Sequence, residues 1–436
     1  MKKNNLRGSI TLVDLGTSQC TTMICAPSVD GNDYRVVGLA TVESQGIKKS
    51  NIVDLVQASN TIKNSLTAAE DMAGVHIDNV YISISGNHIS SQNSSGMVAI
   101  IDPSQEITAS DRERVLTAAQ AISLSADREL LYVTPRFFKV DTSDSVEDPV
   151  GMVGLKLEAD VHLITCGTAN IRNLEKCLKD AELGTLDAPI FAGLAAANST
   201  LTKTEKELGV ASLNIGAGST SFCVYVEGTV IHSGCLPIGA YHITRDIAAA
   251  FKISFDQAEK IKVNLSVDDF NELVQRPNES REEYRRRRKQ ADILDAEKLG
   301  LPSFLPPISK DYLYRTVISE RLKQIFRVFS QELEAKDLLG QISSGGVVLS
   351  GGGALTIGVT EVAMKTLNVP ARLGASRLIP GVVSDIDNPR YAVIVGLLEH
   401  AISEPSARDA ASATFEPHTS GGALSKLSNL WKKIMP

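Results

Sequence analysis

The sequence predicts an α/β fold of two similar halves, with a small α+β block inserted in the first and a separate amphipathic segment at the C-terminus. Three glycine turns, each following a short apolar run, carry most of that reading: Val13-Asp14-Leu15-Gly16-Thr17-Ser18, Leu213-Asn214-Ile215-Gly216-Ala217-Gly218-Ser219 and Val348-Leu349-Ser350-Gly351-Gly352-Gly353-Ala354. Each reads as a strand entering a tight turn, where glycine permits φ > 0 and lets backbone N–H groups approach an anion. The first two turns stand about 200 residues apart and suit a pair of hairpins gripping a polyphosphate from both sides. The third, about 135 residues later, would bring backbone toward a base and sugar. A strand meander opens each half, which is the second observation; the extra block between Gly86 and His162 is the third.

At 436 residues the chain exceeds one ordinary core and predicts several domains. A net charge of −7 offers no dominant basic face, so no nucleic-acid partner is expected. The six cysteines (Cys20, Cys25, Cys166, Cys177, Cys223, Cys235) form no Cys-x-x-Cys pair and have no His at zinc spacing. They read as small core residues in a reducing compartment. The N-terminal apolar run from Ile10 is broken by Asp14 after four residues, short of the roughly seven of a signal peptide. No stretch reaches the ~18 apolar residues of a spanning helix. These features predict a cytoplasmic protein whose membrane contact, if any, is peripheral.

The first half opens with strands Ser9–Leu15, Thr21–Ala26 and Tyr34–Glu43. A helix from about Val53 to Ala73 carries Ile62, Leu66 and Ala69 on its buried stripe, and strand Val80–Ser85 follows. The inserted block reads as a polar turn region Asn87–Ser95, a helix near Ser110–Leu124, and strands Leu131–Val140 and Lys156–Ile164. Ser110-Asp111-Arg112-Glu113 offers that helix an N-cap with a Glu at the third position. The block is either a functional domain or a decorative surface insertion. Strand Val161–Cys166 and helices Ala169–Ala181 and Ala188–Leu201 resume the main body. The second half repeats the meander as Ser212–Ile215, Ser221–Val226 and Thr229–Leu236. Helices Tyr241–Phe251 and Asp256–Val263, a polar stretch to Pro307 and helix Tyr312–Lys336 lead to the third glycine turn. Helices Gly358–Leu367 and Pro389–Ile402 close the body, and Glu404–Gly422, rich in Ser, Ala, Pro and Gly, reads as a flexible linker.

On a helix at ~100° per residue, Leu424, Leu427, Leu430, Trp431, Ile434 and Met435 fall within about 140°. Lys426, Lys432 and Lys433 take the other side with Ser425, Ser428 and Asn429, and the segment contains no acid. A linker, a cationic polar face and an interfacial Trp fit a helix lying in an anionic membrane surface. A protein groove or the protein's own core are the alternatives. One short helix binds weakly, and many copies on a filament bind far better.

The ordered turns resemble the first phosphate loop, second phosphate loop and adenosine loop of the actin/Hsp70/sugar-kinase superfamily. Within it, the early insertion and the terminal helix are similar to the FtsA family of bacterial division proteins. So are the segments Ser85-Gly86-Asn87-His88-Ile89, Val161-His162-Leu163-Ile164-Thr165, Phe191-Ala192-Gly193-Leu194-Ala195, Glu207-Leu208-Gly209-Val210 and Ala392–Leu398. The resemblance covers essentially the whole chain. It implies an actin-like (duplicated ribonuclease-H-like) body with subdomain 1A over residues 1–86, 163–205 and 371–402 and the inserted 1C over 87–162. Subdomain 2A would take 206–238 and 309–370, 2B 239–308, the linker 403–422 and a membrane-targeting helix 423–436. It also implies binding of ATP and Mg²⁺, and polymerisation at the cytoplasmic face of the inner membrane at midcell. Anchoring of FtsZ filaments through 2B, and self-contact and recruitment of later division proteins through 1C, complete what it implies.

Position by position, the resemblance puts backbone N–H groups of Gly16, Thr17 and Ser18 on the phosphates and faces Asp14 toward Mg²⁺ through water. Gly216, Ala217, Gly218 and Ser219 would form the opposing hairpin, and Gly351, Gly352 and Gly353 would pass close to the adenosine. Glu259 and Lys262 resemble an E-x-x-K pair meeting ribose and base; alone they would read as a solvated helix face. Two departures bear on catalysis. Asn214 stands where much of the superfamily has an Asp near the metal, and Ala192 where hydrolysing relatives place the Glu or Gln that orients water. Phosphoryl transfer depends on positioning and charge stabilisation, so hydrolysis is expected to be slow or absent.

Arg285 to Lys289 are five consecutive cations and cannot share one helical face. They read either as a solvated loop or as a basic site for an acidic peptide such as the FtsZ C-terminal motif, with Arg285 and Arg286 competing with Lys310, Arg315 and Arg321 for that role. The rivals to a membrane adaptor are a pilus-assembly ATP-binding protein with a similar insertion and a soluble sugar or acid kinase. Residues Glu404–Pro436 speak against both.

Overall fold

A computed structural model describes residues 8–28, 33–101, 106–142, 145–185, 188–271, 273–277, 279–301, 307–377, 379–381 and 386–403. In the first half, Leu12, Val13, Met23 and Ile24 are fully buried on neighbouring strands β1 (Ile10–Leu15) and β2 (Gln19–Pro27), and β3 (Tyr34–Glu43) completes an antiparallel meander. Helix α1 (Leu55–Ala73) starts at Asp54, whose carboxylate accepts the Gln57 N–H at 3.0 Å, and stops at Gly74, left-handed at φ 70°. Its face of Ala58, Ile62, Leu66 and Ala69 packs on the sheet, and β4 (Asn79–Ile84) then runs parallel to β1.

The insertion has its own core. Strands β5 (Ser90–Ala99), β6 (Arg128–Val140) and β7 (Lys156–Gly167) form an antiparallel sheet in the order β5-β7-β6. Helix α2 (Ala109–Gln120) covers it, burying Val115, Leu116 and Ala119 against Phe138, Leu157 and Val161. Its cap is Thr108, reciprocally bonded with Asp111. Of the expected polar turn region Asn87–Ser95, Asn87 and His88 do form a turn, but Ser90–Ser95 is the first part of β5. Its Ser-Ser-Gln-Asn-Ser-Ser run hides the period-two signal, and only pairing with β7 makes it a strand.

Helices α3 (Thr168–Asp180) and α4 (Ala192–Thr200) return the chain to the body. The second half then repeats the first: β8 (Val210–Ile215), β9 (Thr220–Val226) and β10 (Thr229–Leu236) form the meander, and β11 (Gly346–Ser350) lies parallel to β8. Between β10 and β11 come α5 (Tyr241–Phe251), α6 (Phe255–Asn264), α7 (Arg281–Ala291) and α8 (Ser319–Glu334). Two expectations change here. The stretch to Pro307 contains α7, started by a Ser280–Glu283 capping box, and the long helix from Tyr312 begins with a wide π-type turn at Leu313–Ile318.

After α9 (Val359–Leu367), β12 (Ala371–Leu373) pairs with β11, so the chain leaves the second sheet past Leu373 and later than residue 371. Helix α10 (Ala392–Ser403) then packs on α4 in the first half. The two helices meet where a Cβ on Gly396 would lie 1.9 Å from the Ala195 carbonyl oxygen, so only glycine allows that crossing. All six cysteines are free thiols.

Candidate functional site

The two halves place the same hairpin on opposite sides of one cleft. Gly16 N–H donates to the Gln19 carbonyl at 3.0 Å, and Gly216 N–H to the Ser219 carbonyl at 2.9 Å, an offset of 200 residues at both ends (216 − 16 and 219 − 19). The carbonyls of Gly216 and Ala217 accept from Ala240 and Tyr241 N–H at 2.9 and 2.8 Å, which ties the second hairpin to the start of α5. Among the described residues, the N–H groups of Thr17, Ser18, Ala217, Gly218, Gly352 and Gly353 have no intramolecular acceptor. Free N–H groups at a cavity are what an anion requires, and of these residues all but Gly218 line the cleft.

The expected reason for glycine holds only in part. Of the six site glycines, Gly351 alone takes a left-handed φ, 82°. Gly16 and Gly216 are glycine because a Cβ would sit 2.8 and 3.0 Å from the hairpin carbonyls of Gln19 and Ser219. Gly218 is pressed against Thr17 and Lys49 and does not line the cavity, while Gly353 lies against Ile215.

The cavity between the hairpins is about 290 Å³, near the lower end of small-molecule sites. Asp14, Gly16, Thr17, Ser18, Asn214, Gly216, Ala217, Ser219, Glu259, Lys262 and Gly351 to Gly353 all line it, and so does Ala192 at the first position of α4. Asp14 accepts the Ser83 hydroxyl at 2.6 Å, and burial raises its carboxyl pKa against that hydrogen bond. A cation beside it would reverse that shift. Among the described residues no cluster of three or more His, Cys, Asp or Glu gathers, and the carboxylates lining the cavity that could face a cation are Asp14 and Glu259.

Lys262 Nζ bonds Glu259 Oε2 at 2.7 Å and Thr244 Oγ1 at 3.0 Å, while Thr244 donates to the same carboxylate oxygen at 2.5 Å. The pair is thus braced by α5. Asn214 donates to Ser221 at 3.3 Å, and its Oδ1 faces Gly351, where a Cβ would come to 2.5 Å.

Sequence reasoning missed several lining residues. Val263 and Leu355 supply apolar wall, and Arg390, stacked 5.0 Å over Tyr391, donates to Gln19 at 3.3 Å. Ser50 belongs to a hairpin of Ile47–Lys48 with Asn51–Ile52 that carries neither Gly nor Asn at its turn, so nothing marked it.

A second concavity lies on the outer part of the second half. Arg281, Tyr284, Arg285, Arg288 and Lys289 of α7 face Asp311, Tyr312 and Arg315 across about 690 Å³. An adjoining pocket of about 540 Å³ is more apolar, with Val267, Phe270, Leu273, Val274, Tyr314 and Ile357. The cationic run is therefore a helix whose charges divide. Arg285 lines the groove, Arg287 pairs with Glu279, and Arg286 is exposed away from it. The other candidates fare differently. Lys310 is 7% exposed and bound to Asp269 at 2.8 Å, and Arg321 holds Asp246 with two nitrogens at 2.5 and 2.8 Å, so neither is a free cation. Arg315 pairs with Asp311 at 2.7 Å yet remains 72% exposed at the groove.

Leu424, Lys426, Leu427, Leu430, Trp431, Lys432, Lys433 and Ile434 lie outside the described residues. Among the described residues, no helix is long and apolar enough to cross a membrane.

Comparison with known proteins agrees with this architecture. The family model "SHS2 domain inserted in FTSA" matches residues 86–165, and "Cell division protein FtsA" matches residues 211–396. Cell division protein FtsA of Borreliella burgdorferi is 33% identical over 393 residues, 90% of each chain. Among solved structures, a chain of the PilM–PilN type IV pilus biogenesis complex aligns with TM-score 0.57 at 17% identity, over 89% of this chain and 97% of that one. MreB5 of Spiroplasma citri bound to ADP aligns with TM-score 0.50 at 14% identity, over 93% and 99%. The two structural likenesses show the fold, which is actin-like. The identity over 90% of each chain shows the family. This chain belongs to the FtsA family of cell division proteins, with the SHS2 insertion that marks it.

Proposed function

We propose that the protein is an ATP-binding membrane adaptor of the division machinery. It polymerises at the cytoplasmic face of the inner membrane at midcell, anchors FtsZ filaments there and recruits later division proteins through its insertion. The observation that carries the membrane claim is the C-terminal sequence, which if helical would set Leu424, Leu427, Leu430, Trp431 and Ile434 on one side and Lys426, Lys432 and Lys433 on the other. Acidic headgroups would hold the lysines, and the apolar side would enter the acyl boundary.

The cleft supports ATP as the nucleotide. Free N–H groups on both hairpins suit the phosphates, the Glu259–Lys262 pair suits the ribose, and Val263 with Leu355 offers apolar wall for the base. Mg²⁺, held by Asp14 through water and by phosphate oxygens, would neutralise phosphate charge. Hydrolysis is slow in this reading. Ala192 presents no polar side-chain atom to the cavity, and Asn214 brings no negative charge.

The basic groove with its apolar neighbour supports the FtsZ C-terminal peptide as occupant, bound by Arg285, Arg288 and Arg315 and by the pocket around Phe270. Flotation with anionic liposomes tests the membrane claim. The full chain should float, and a chain ending at Gly422 should stay in solution. Equal behaviour of the two would overturn the anchor.

A further inference from the structure

The Lys49–Ser50 turn is the strained element of the cleft. Both residues take left-handed φ, 47° and 60°, in succession, at the tip of a two-residue hairpin where Asn-Gly is the usual solution. Consecutive non-glycine residues in that region persist only where their surroundings over-determine them. Here they do. Ser50 N–H donates to Thr17 Oγ1 at 2.8 Å, and Asn51 Nδ2 donates to the Lys49 carbonyl at 3.1 Å. Asn51 is itself held by His88 at 2.9 Å. From the other half, Gly218 lies so close that a Cβ would meet Lys49 Cα at 2.8 Å.

The turn thereby joins the two phosphate hairpins. Ser50 Oγ lies 2.7 Å from Ser219 Oγ on the second and 3.4 Å from Thr17 Oγ1 on the first, and all three residues line the cavity. Three hydroxyls joined by two contacts consume at most two of their three protons. At least one donor can therefore turn to a ligand, with the Cys235 sulfur beside Ser219 as a weak competitor.

We propose that Ser50 is a third phosphate-binding element of the nucleotide cleft, donating its hydroxyl to the polyphosphate while bracing the two hairpins at the spacing that grips it. The inference rests on the nucleotide reading of the cleft. It explains why a strained Lys-Ser turn occupies this tip: a glycine would relax the backbone and remove the hydroxyl.

The test measures affinities of full-length protein for ATP, ADP and adenosine with Mg²⁺ present, comparing the unaltered chain with Ser50→Ala and Ser50→Gly. Losing one charge-assisted hydrogen bond should weaken ATP and ADP binding about 10–100-fold in both variants and leave adenosine affinity unchanged. Ser50→Gly relieves the strain and serves where Ser50→Ala folds poorly. Unchanged ATP affinity in the variants would overturn the inference, as would an equal loss for adenosine, since a defect spread over the whole cleft does not distinguish phosphate from base. If the unaltered chain binds none of the three, the nucleotide reading itself fails, and the inference with it.

Discussion

His162 Nε2 lies 2.9 Å from Ser233 Oγ, and this contact joins the insertion to the second half of the body. His162 Nδ1 faces Asn93 Oδ1 at 2.7 Å, Asn93 donates to the Ile231 carbonyl at 3.0 Å, and Ser91 donates to the Ser233 carbonyl at 2.6 Å. Asn93 spends its amide N–H on Ile231, so His162 donates through Nδ1 and accepts the Ser233 hydroxyl at Nε2. A neutral imidazole fills both roles.

That neutrality gives a pH prediction. Burial first, then His232 and Arg136, lower the His162 pKa to about 3, and burial with Arg128 lowers that of His88 to about 4. The unfolded chain, with His near 6.5, takes up protons that the folded chain refuses. The contribution of these two groups to stability is therefore complete above about pH 6.5 and is lost as pH falls toward 3. Thermal melts from pH 7.5 to 4.5 should show a falling Tm. His162→Gln should flatten part of that fall and cost about 1–3 kcal/mol at neutral pH through mispaired Ser233 and Asn93.

Restoring Asn214→Asp and Ala192→Glu together should raise phosphate release from ATP at least tenfold, read in a coupled phosphate assay. No gain would show that slow turnover has another cause than these two missing groups.

Glu259→Ala leaves Lys262, whose side chain is 10% exposed, with Thr244 as its remaining partner. Loss of the carboxylate should weaken adenosine binding by about 1–2 kcal/mol, roughly tenfold, in equilibrium titration. Adenosine affinity equal to that of the unaltered chain would place the pair outside the ribose site.

At the outer groove, Arg285→Glu should weaken binding of the acidic FtsZ C-terminal peptide at least tenfold in fluorescence polarisation, and more so at low salt. Arg286→Glu, one residue on but outside the groove, should change it less than threefold. Equal losses would mean that net charge, and not the groove, drives association.

Much of this was legible in the sequence, for a physical reason. Gly16, Gly216 and Gly351 mark turns that tolerate no Cβ, so the hairpins announce themselves, and the alternation around Leu12 and Leu213 marks the strands beside them. What stayed hidden depends on partners far along the chain. Ser90–Ala99 is a strand only because Lys156–Gly167 pairs with it, and Lys49–Ser50 holds its backbone through Thr17, Asn51 and the approach of Gly218. The cationic run was visible, but its division between groove and solvent needed the helix phase set by Ser280 and Glu283. Lys310 and Arg321 looked like free cations because Asp269 and Asp246, which neutralise them, lie 41 and 75 residues away (310 − 269 and 321 − 246).

The most direct test of the account is recruitment of fluorescent FtsZ to a supported anionic bilayer by the full chain with ATP. FtsZ filaments should coat the bilayer with the full chain and stay in solution with a chain ending at Gly422 or carrying Arg285→Glu. FtsZ left in solution by the full chain, or brought down equally by the truncated one, would contradict the account.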